Sequence, residues 1–137
     1  MAMKNRFVLI DHSIIDSGGH HLEYAIRILK AAQEVGYQTE LWINKAAKII
    51  QATGINRVAT VFTKSCWQMQ KSGGKFNLLF NYLLRRGKLY GASVDIERFA
   101  DELASGLLKN SINDDDLIFV PTLGMAELIG VAKALAR

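Results

Sequence analysis

The chain's histidines, His12, His20 and His21, all fall in one short segment that also carries Asp11, Asp16 and the pair Gly18-Gly19. An imidazole there suits a general base, or a donor to a phosphate or a sugar hydroxyl. Adjacent glycines let the backbone approach a ligand closely and adopt dihedrals closed to other residues. If a helix opens at His20-His21, the N–H groups of its first turn face the same point and favour an anion such as a phosphate. The plain alternative is a tight strand-to-helix turn in which His12 hydrogen-bonds a loop backbone and meets no ligand. Adjacent helical residues point about 100° apart, so one of His20 and His21 is expected to face the cleft while the other caps or packs. Glu23 reads as a first-turn carboxylate suited to the positive helix end, and Tyr24 as either a core residue or a ligand contact. Asp11, His12, Asp16 and one of the histidine pair are the candidate metal ligands, but no HxxxH spacing supports them. A single Cys66 also excludes a multi-cysteine zinc site, so neither a metal nor a cofactor is expected.

The elements that position these residues follow from periodicity. Residues 7–10 are a continuous apolar run, read as a strand buried on both faces. Leu22, Ala25, Ile26, Ile28, Leu29 and Ala32 crowd one broad face of a helix that Gly36 stops. Residues 39–43 make a second strand, with Leu41 and Ile43 on one side and Trp42 on the other. A short helix is expected over 45–52, ended by Thr53-Gly54, and a third strand over 57–62. Residues 63–91 break the rhythm. A helix then resumes over 94–109, with Ile96, Phe99, Ala100, Leu103, Leu107 and Leu108 as its apolar face. A turn at 113–116, a fourth buried strand at 117–120, the loop 121–124 and a helix from Met125 complete the order. This alternation predicts an α/β, Rossmann-like three-layer sandwich with a mostly parallel sheet. Ligands of such sheets bind beyond the carboxyl ends of the strands, which would bring the loop at 121–125 to the same edge as 11–21. The last helix leads directly out of the sequence, as the front part of a longer protein would.

A length of 137 residues suits one domain, and 50% apolar content excludes a disordered chain. No apolar run is long enough to span a bilayer. The start, Met1 to Arg6 and then Phe7 to Ile10, mimics a signal peptide but meets Asp11 and His12 too soon, which reads as a cytoplasmic protein. The net charge of +4 is unevenly placed: six basic residues and no acidic one lie between Lys64 and Lys88. Within that window Phe76, Leu79, Phe80, Leu83 and Leu84 fall largely on one helical side, with Lys75, Arg85 and Arg86 at the ends. Such a segment packs on the sheet, meets another domain, or lies in a membrane interface. Nucleic acid is not expected, since no recognition motif accompanies the modest charge. GxGxxG and GxxxxGK[ST] are both absent. The third strand runs into Phe62-Thr63-Lys64, without the phosphoacceptor aspartate of a receiver domain. The loop after the first strand is glycine- and histidine-rich, where a flavodoxin needs hydroxyls.

The stretch VLIDHSIIDSGGHHLEYAIRILKAAQEVGYQTELWINK resembles the N-terminus of bacterial glycosyltransferases of the retaining, two-domain GT-B type, group 1 (family 4). DDLIFVPTLGMAELIGVAKAL resembles their later strand, loop and helix, while the middle of the chain matches poorly. The resemblance implies one half of a GT-B fold, the acceptor-side domain of an enzyme that moves a sugar from a nucleotide-sugar donor. It implies that Gly18, Gly19 and His12 lie by the donor phosphates, and that His20 and His21 line the cleft as catalytic residues. Asp16, Thr122, Leu123 and Gly124 would line the acceptor side. The family's second half, with its E-x7-E segment, has no counterpart here, so the chain by itself is expected to be inactive. Its implied partners are the donor held by that second domain, a carbohydrate or lipid-linked acceptor of the cell envelope, and a membrane surface or second domain met through Phe76, Phe80, Arg85 and Arg86. A dimer through exposed surface is a further expectation, as is a location at the inner face of the membrane. The competing reading is a small non-enzymatic α/β domain that binds a protein or an anionic ligand with the same glycine turn.

Overall fold

A computed structural model describes residues 5–16, 19–48, 54–66, 68 and 90–137. Within them, strands β1 (Arg6–Asp11), β2 (Gln38–Asn44), β3 (Arg57–Phe62) and β4 (Leu117–Phe119) form one parallel sheet in the order β3-β2-β1-β4. The helices are α1 (His20–Glu34), α2 (Tyr90–Lys109) and α3 (Met125–Leu135). The apolar runs of β1 and β2 are continuous because both strands are central and covered on both faces. Pleating sends Val8, Ile10 and Trp42 to one face, where Phe99, Ala100 and Leu103 of α2 and Ala134 of α3 pack on them. Leu9, Leu41 and Ile43 go to the other, against Leu22, Ala25 and Leu29 of α1. This is the three-layer α/β arrangement that the periodicity predicted, with Trp42 opposite Leu41 and Ile43. Gly36 ends α1 in the left-handed conformation, φ +101°, which L side chains rarely adopt.

Three local expectations change. Residues 45–46 are a turn and 47–48 are irregular, where the sequence suggested the start of a helix, and 49–53 lie outside the described residues. Asn44 explains the turn: its side-chain oxygen accepts the Ala46 N–H at 2.9 Å and its carbonyl that of Ala47, a local bonding pattern that competes with a helix. The fourth strand is shorter than 117–120 and is not buried. Among the described residues it occupies a sheet edge, bonded to β1 alone, with Leu117 exposed. Leu108 points to solvent, 82% exposed, while Leu107 one position earlier packs on the core.

The β1–β4 pairing is fastened at its amino end by Arg6 and Asp116. Asp116 accepts from the Arg6 backbone N–H (3.0 Å) and from its Nε (3.1 Å) and Nη2. The remaining guanidinium N–H groups reach the carbonyls of Asn110 and Ser111. Burial pushes the Asp116 carboxyl up, but the bonds from Arg6 and from the Asn113 N–H, with the Arg6 charge, outweigh it and hold it below the usual carboxylate range.

The layer under α3 is close-packed. A Cβ on Gly130 would lie 2.6 Å from Phe99 Cδ1. That ring cannot easily give way, because it stacks on Phe62 (centroids 5.1 Å apart) and meets the His12 ring edge-on. Gly130→Ala should therefore destabilise the fold. The usual helix gain of about 1 kcal/mol for replacing glycine is outweighed by overpacking, which costs about 1–3 kcal/mol. A denaturant midpoint higher than wild type would show instead that Phe99 moves aside. Among the described residues no helix is long and apolar enough to cross a membrane.

Candidate functional site

Chain direction makes the carboxyl edge of the sheet special between β1 and β4. From β1 the chain steps through α1 to β2 on one side, and it returns from β3 over the α2 face to place β4 on the other. Such a switch point leaves a crevice beyond the strand ends, where open α/β sheets bind ligands. Three side chains from distant parts of the sequence meet there. Asp11 is the last residue of β1, Thr122 follows β4, and His21 lies in the first turn of α1.

Asp11 organises the cluster. Its side chain is 2% exposed. Oδ1 accepts the Ser13 N–H at 2.9 Å, Oδ2 accepts the Thr122 hydroxyl at 3.0 Å, and His21 Nδ1 stands 3.1 Å from the same Oδ2. An ionised carboxylate only accepts, so this contact is a hydrogen bond when His21 carries its proton on Nδ1. Thr122 Oγ1 lies 3.5 Å from that nitrogen as well. The imidazole is thus held in one orientation by two side chains, one of which is itself buried and satisfied.

His20 is exposed, and its ring packs beside that of His21, with centroids 4.6 Å apart and planes 30° from parallel. The pair divides as helical geometry predicts: His21 turns to the Asp11 cluster and His20 packs on it from outside. Gly19 is the N-cap of α1, with φ −104° and ψ 150°. Any residue adopts that extended backbone, and a Cβ there would meet nothing closer than 4.0 Å. The conformational freedom expected of a glycine is therefore not used at Gly19. Among the described residues no side-chain hydrogen bond caps the start of α1. Asp16 is exposed at the same mouth. Leu123 and Gly124 are exposed on the loop that carries Thr122. Tyr24 faces solvent, 52% exposed, and Glu23 is an exposed partner of Arg27 one turn on.

His12 is placed below this surface and not on it. Its ring is fully buried, edge-on to Phe62 and Phe99, and its carbonyl accepts from the Asn44 side chain at 3.3 Å. Nε2 approaches Glu127 Oε1 at 3.3 Å, an electrostatic contact too poorly aligned for a hydrogen bond, and neither ring nitrogen has a hydrogen-bond partner among the described residues. Burial pushes the Glu127 carboxyl up. The facing His12 ring and the backbone N–H groups of Glu127 and Gly124 pull it down further, so it stays below the usual range. A Cβ on Gly124 would sit 2.7 Å from Glu127 Oε2, so the glycine is what lets the carboxylate fold back over the helix start. Ser13 Oγ, donating to Cys66 Sγ at 2.8 Å, ties the loop after β1 to the chain beyond β3.

Of the residues expected at the site, then, the fold joins His21 to Thr122 through Asp11, with His20 and Gly19 beside them and Asp16, Leu123 and Gly124 along the rim. His12 lies in the core. Gly18, Phe76, Phe80, Arg85 and Arg86 fall outside the described residues. Glu127 was not singled out in the sequence, although a glycine N-cap followed three residues later by glutamate has the spacing of a capping box, which signals it. The sequence points to Asp11 only as a candidate metal ligand. Among the described residues no three His, Cys, Asp or Glu side chains converge to hold a metal ion. No known protein family matches the chain, and no curated protein or solved structure is significantly similar to it.

Proposed function

We propose that this chain is the acceptor-side half of a glycosyltransferase, moving a sugar from a nucleotide-sugar donor to a cell-envelope or lipid-linked acceptor at the cytoplasmic face of the membrane. The observation that carries the reading is the Asp11–His21–Thr122 cluster at the switch point of a Rossmann-like sheet. Polar side chains that can bind hydroxyls there adjoin the start of α1, which no side-chain hydrogen bond caps among the described residues and whose N–H groups and positive end favour a phosphate. The sequence resemblance of both ends of the chain names the same two regions.

Ligand-observed NMR tests the reading. UDP-, GDP- and ADP-sugars and a short isoprenoid-pyrophosphate glycan are titrated into the 137-residue chain. Saturation transfer to at least one of them, lost in His21→Gln and kept in the remote control Glu97→Gln, is the expected result. A folded chain that binds none of the panel removes the transferase reading and leaves a small α/β binding domain.

A further inference from the structure

We infer that a second copy of this chain docks on the β3 edge of the sheet, its own β3 lying antiparallel to the first across a two-fold axis at Ala59. The inference is independent of the transferase reading. It stands on the order of the strands and on the placement of charge along one groove.

Among the described residues β3 bonds to β2 alone, so its other side offers backbone N–H and C=O groups to a neighbour. Native proteins blunt such edges with charge, proline or a bulge. Val58, Ala59 and Thr60 carry neither charge nor proline, and the register with β2 is regular through them, shifting only before Phe62. Ala59 and Val61 face α2, whereas Val58 faces α1. An axis perpendicular to the sheet keeps each face with its own kind, so it must pass through a residue and not between two. Centred on Ala59, it sets Val58 against Thr60 of the second copy and brings Arg57 to that copy's Val61.

Charge selects this orientation. α2 runs antiparallel to β3. Glu102 accepts the Thr63 N–H at 3.1 Å just past the carboxyl end of the strand, and Asn110 Oδ1 accepts from Arg57 at 2.6 Å at its amino end. Between strand and helix lies a groove of about 570 Å³. Asp101 and Glu102 line its acidic end, where Lys45 offsets one of the two charges, and Arg57 and Lys109 line its basic end. The carboxylates bond Arg137 and Thr63 and keep further acceptor sites, while Lys109 and Arg57 reach solvent. An antiparallel two-fold therefore faces the acidic end of each copy with the basic end of the other, twice over. A parallel apposition would face like with like. Midway between the two ends α2 offers Ser105, whose small side chain lets the two helices close over the joined strands. Two four-stranded sheets become one of eight. The Asp11–His21–Thr122 cluster, between β1 and β4, stays open in both copies.

Sedimentation velocity of the 137-residue chain across the micromolar range reads the association. The expected result is a dimer that dissociates on dilution and weakens with added salt. Lys109→Glu should raise its Kd by about tenfold or more, by setting like charges against each other. Adding Asp101→Lys to that variant exchanges the two signs and should restore much of the affinity. Ala59→Cys should give a disulfide-linked dimer on mild oxidation, because opposed residues of antiparallel strands lie within disulfide reach. Leu135→Cys, exposed on α3, should not. A chain that is monomeric throughout overturns the inference. So does a dimer that is indifferent to the charge reversal and its exchange, since it is joined elsewhere.

Discussion

Trp42→Ala should cost about 3–5 kcal/mol, the range for truncating a fully buried large side chain. Total stabilities are about 5–15 kcal/mol, so the variant should sit near the edge of unfolding at room temperature. Three features put the expectation at the upper end. Trp42 lies in a central strand and is wholly buried. Its ring fills the space left by Gly106, where a Cβ would lie 3.0 Å from Cζ3, so the glycine has no side chain with which to fill the void. Its Nε1–H also donates to Glu40 Oε2 at 3.1 Å, and the truncation leaves that buried oxygen without its indole donor. Urea denaturation followed by far-ultraviolet circular dichroism measures the loss. Trp42→Phe should lose less, since it keeps much of the volume. A change below about 1 kcal/mol for Trp42→Ala would mean that the layer between sheet and α2 is not packed as described.

Asp116→Ala is expected to be the next most damaging change, at about 2–3 kcal/mol. Removing one partner of a buried ion pair costs about 3–5 kcal/mol, and the value here is reduced because part of the Arg6 side chain reaches water. The loss has a pH signature. Asp116 is held below its ordinary value in the folded chain, so its contribution is complete above the unfolded carboxyl pKa of about 3.9 and disappears as the pH falls through the lower folded value. Wild type and Asp116→Ala should therefore differ by a constant amount from neutral pH down to about pH 5 and converge below about pH 4. Denaturant midpoints across that range decide it. A difference that grows on acidification would contradict the ion-pair account.

Much of the framework was legible because it is local. The apolar runs of β1 and β2, the stripe on α1 and the glycine after it are each set within a few residues, and the fold agrees with them. The failures share a cause. Burial of 117–120 was read from composition alone, whereas exposure of Leu117 depends on β4 being an edge, a property of topology. The turn at 45–46 is set by one asparagine side chain in competition with a weak helical pattern. At the site, the histidines were visible as a cluster in sequence, but their different situations were not. His12 lies in an aromatic core and His21 at a solvent edge. The bond that unites the site, Thr122 to Asp11, joins residues 111 apart and leaves no periodic trace in the sequence.

That separation has a consequence for synthesis. β1 can pair with β2, and α1 can cover them, as soon as residue 44 has left the ribosome, since all three are near neighbours in sequence. The other edge of β1 waits for Leu117, and Asp11 lacks its hydroxyl partner until Thr122 arrives. Contacts between such distant segments form late and slowly, because the loop entropy must be lost before they are rewarded. The nascent chain therefore carries an open strand edge beside an unfinished site while residues 45–122 are being made. That is the interval in which an unpaired edge invites mispairing or the attention of a chaperone.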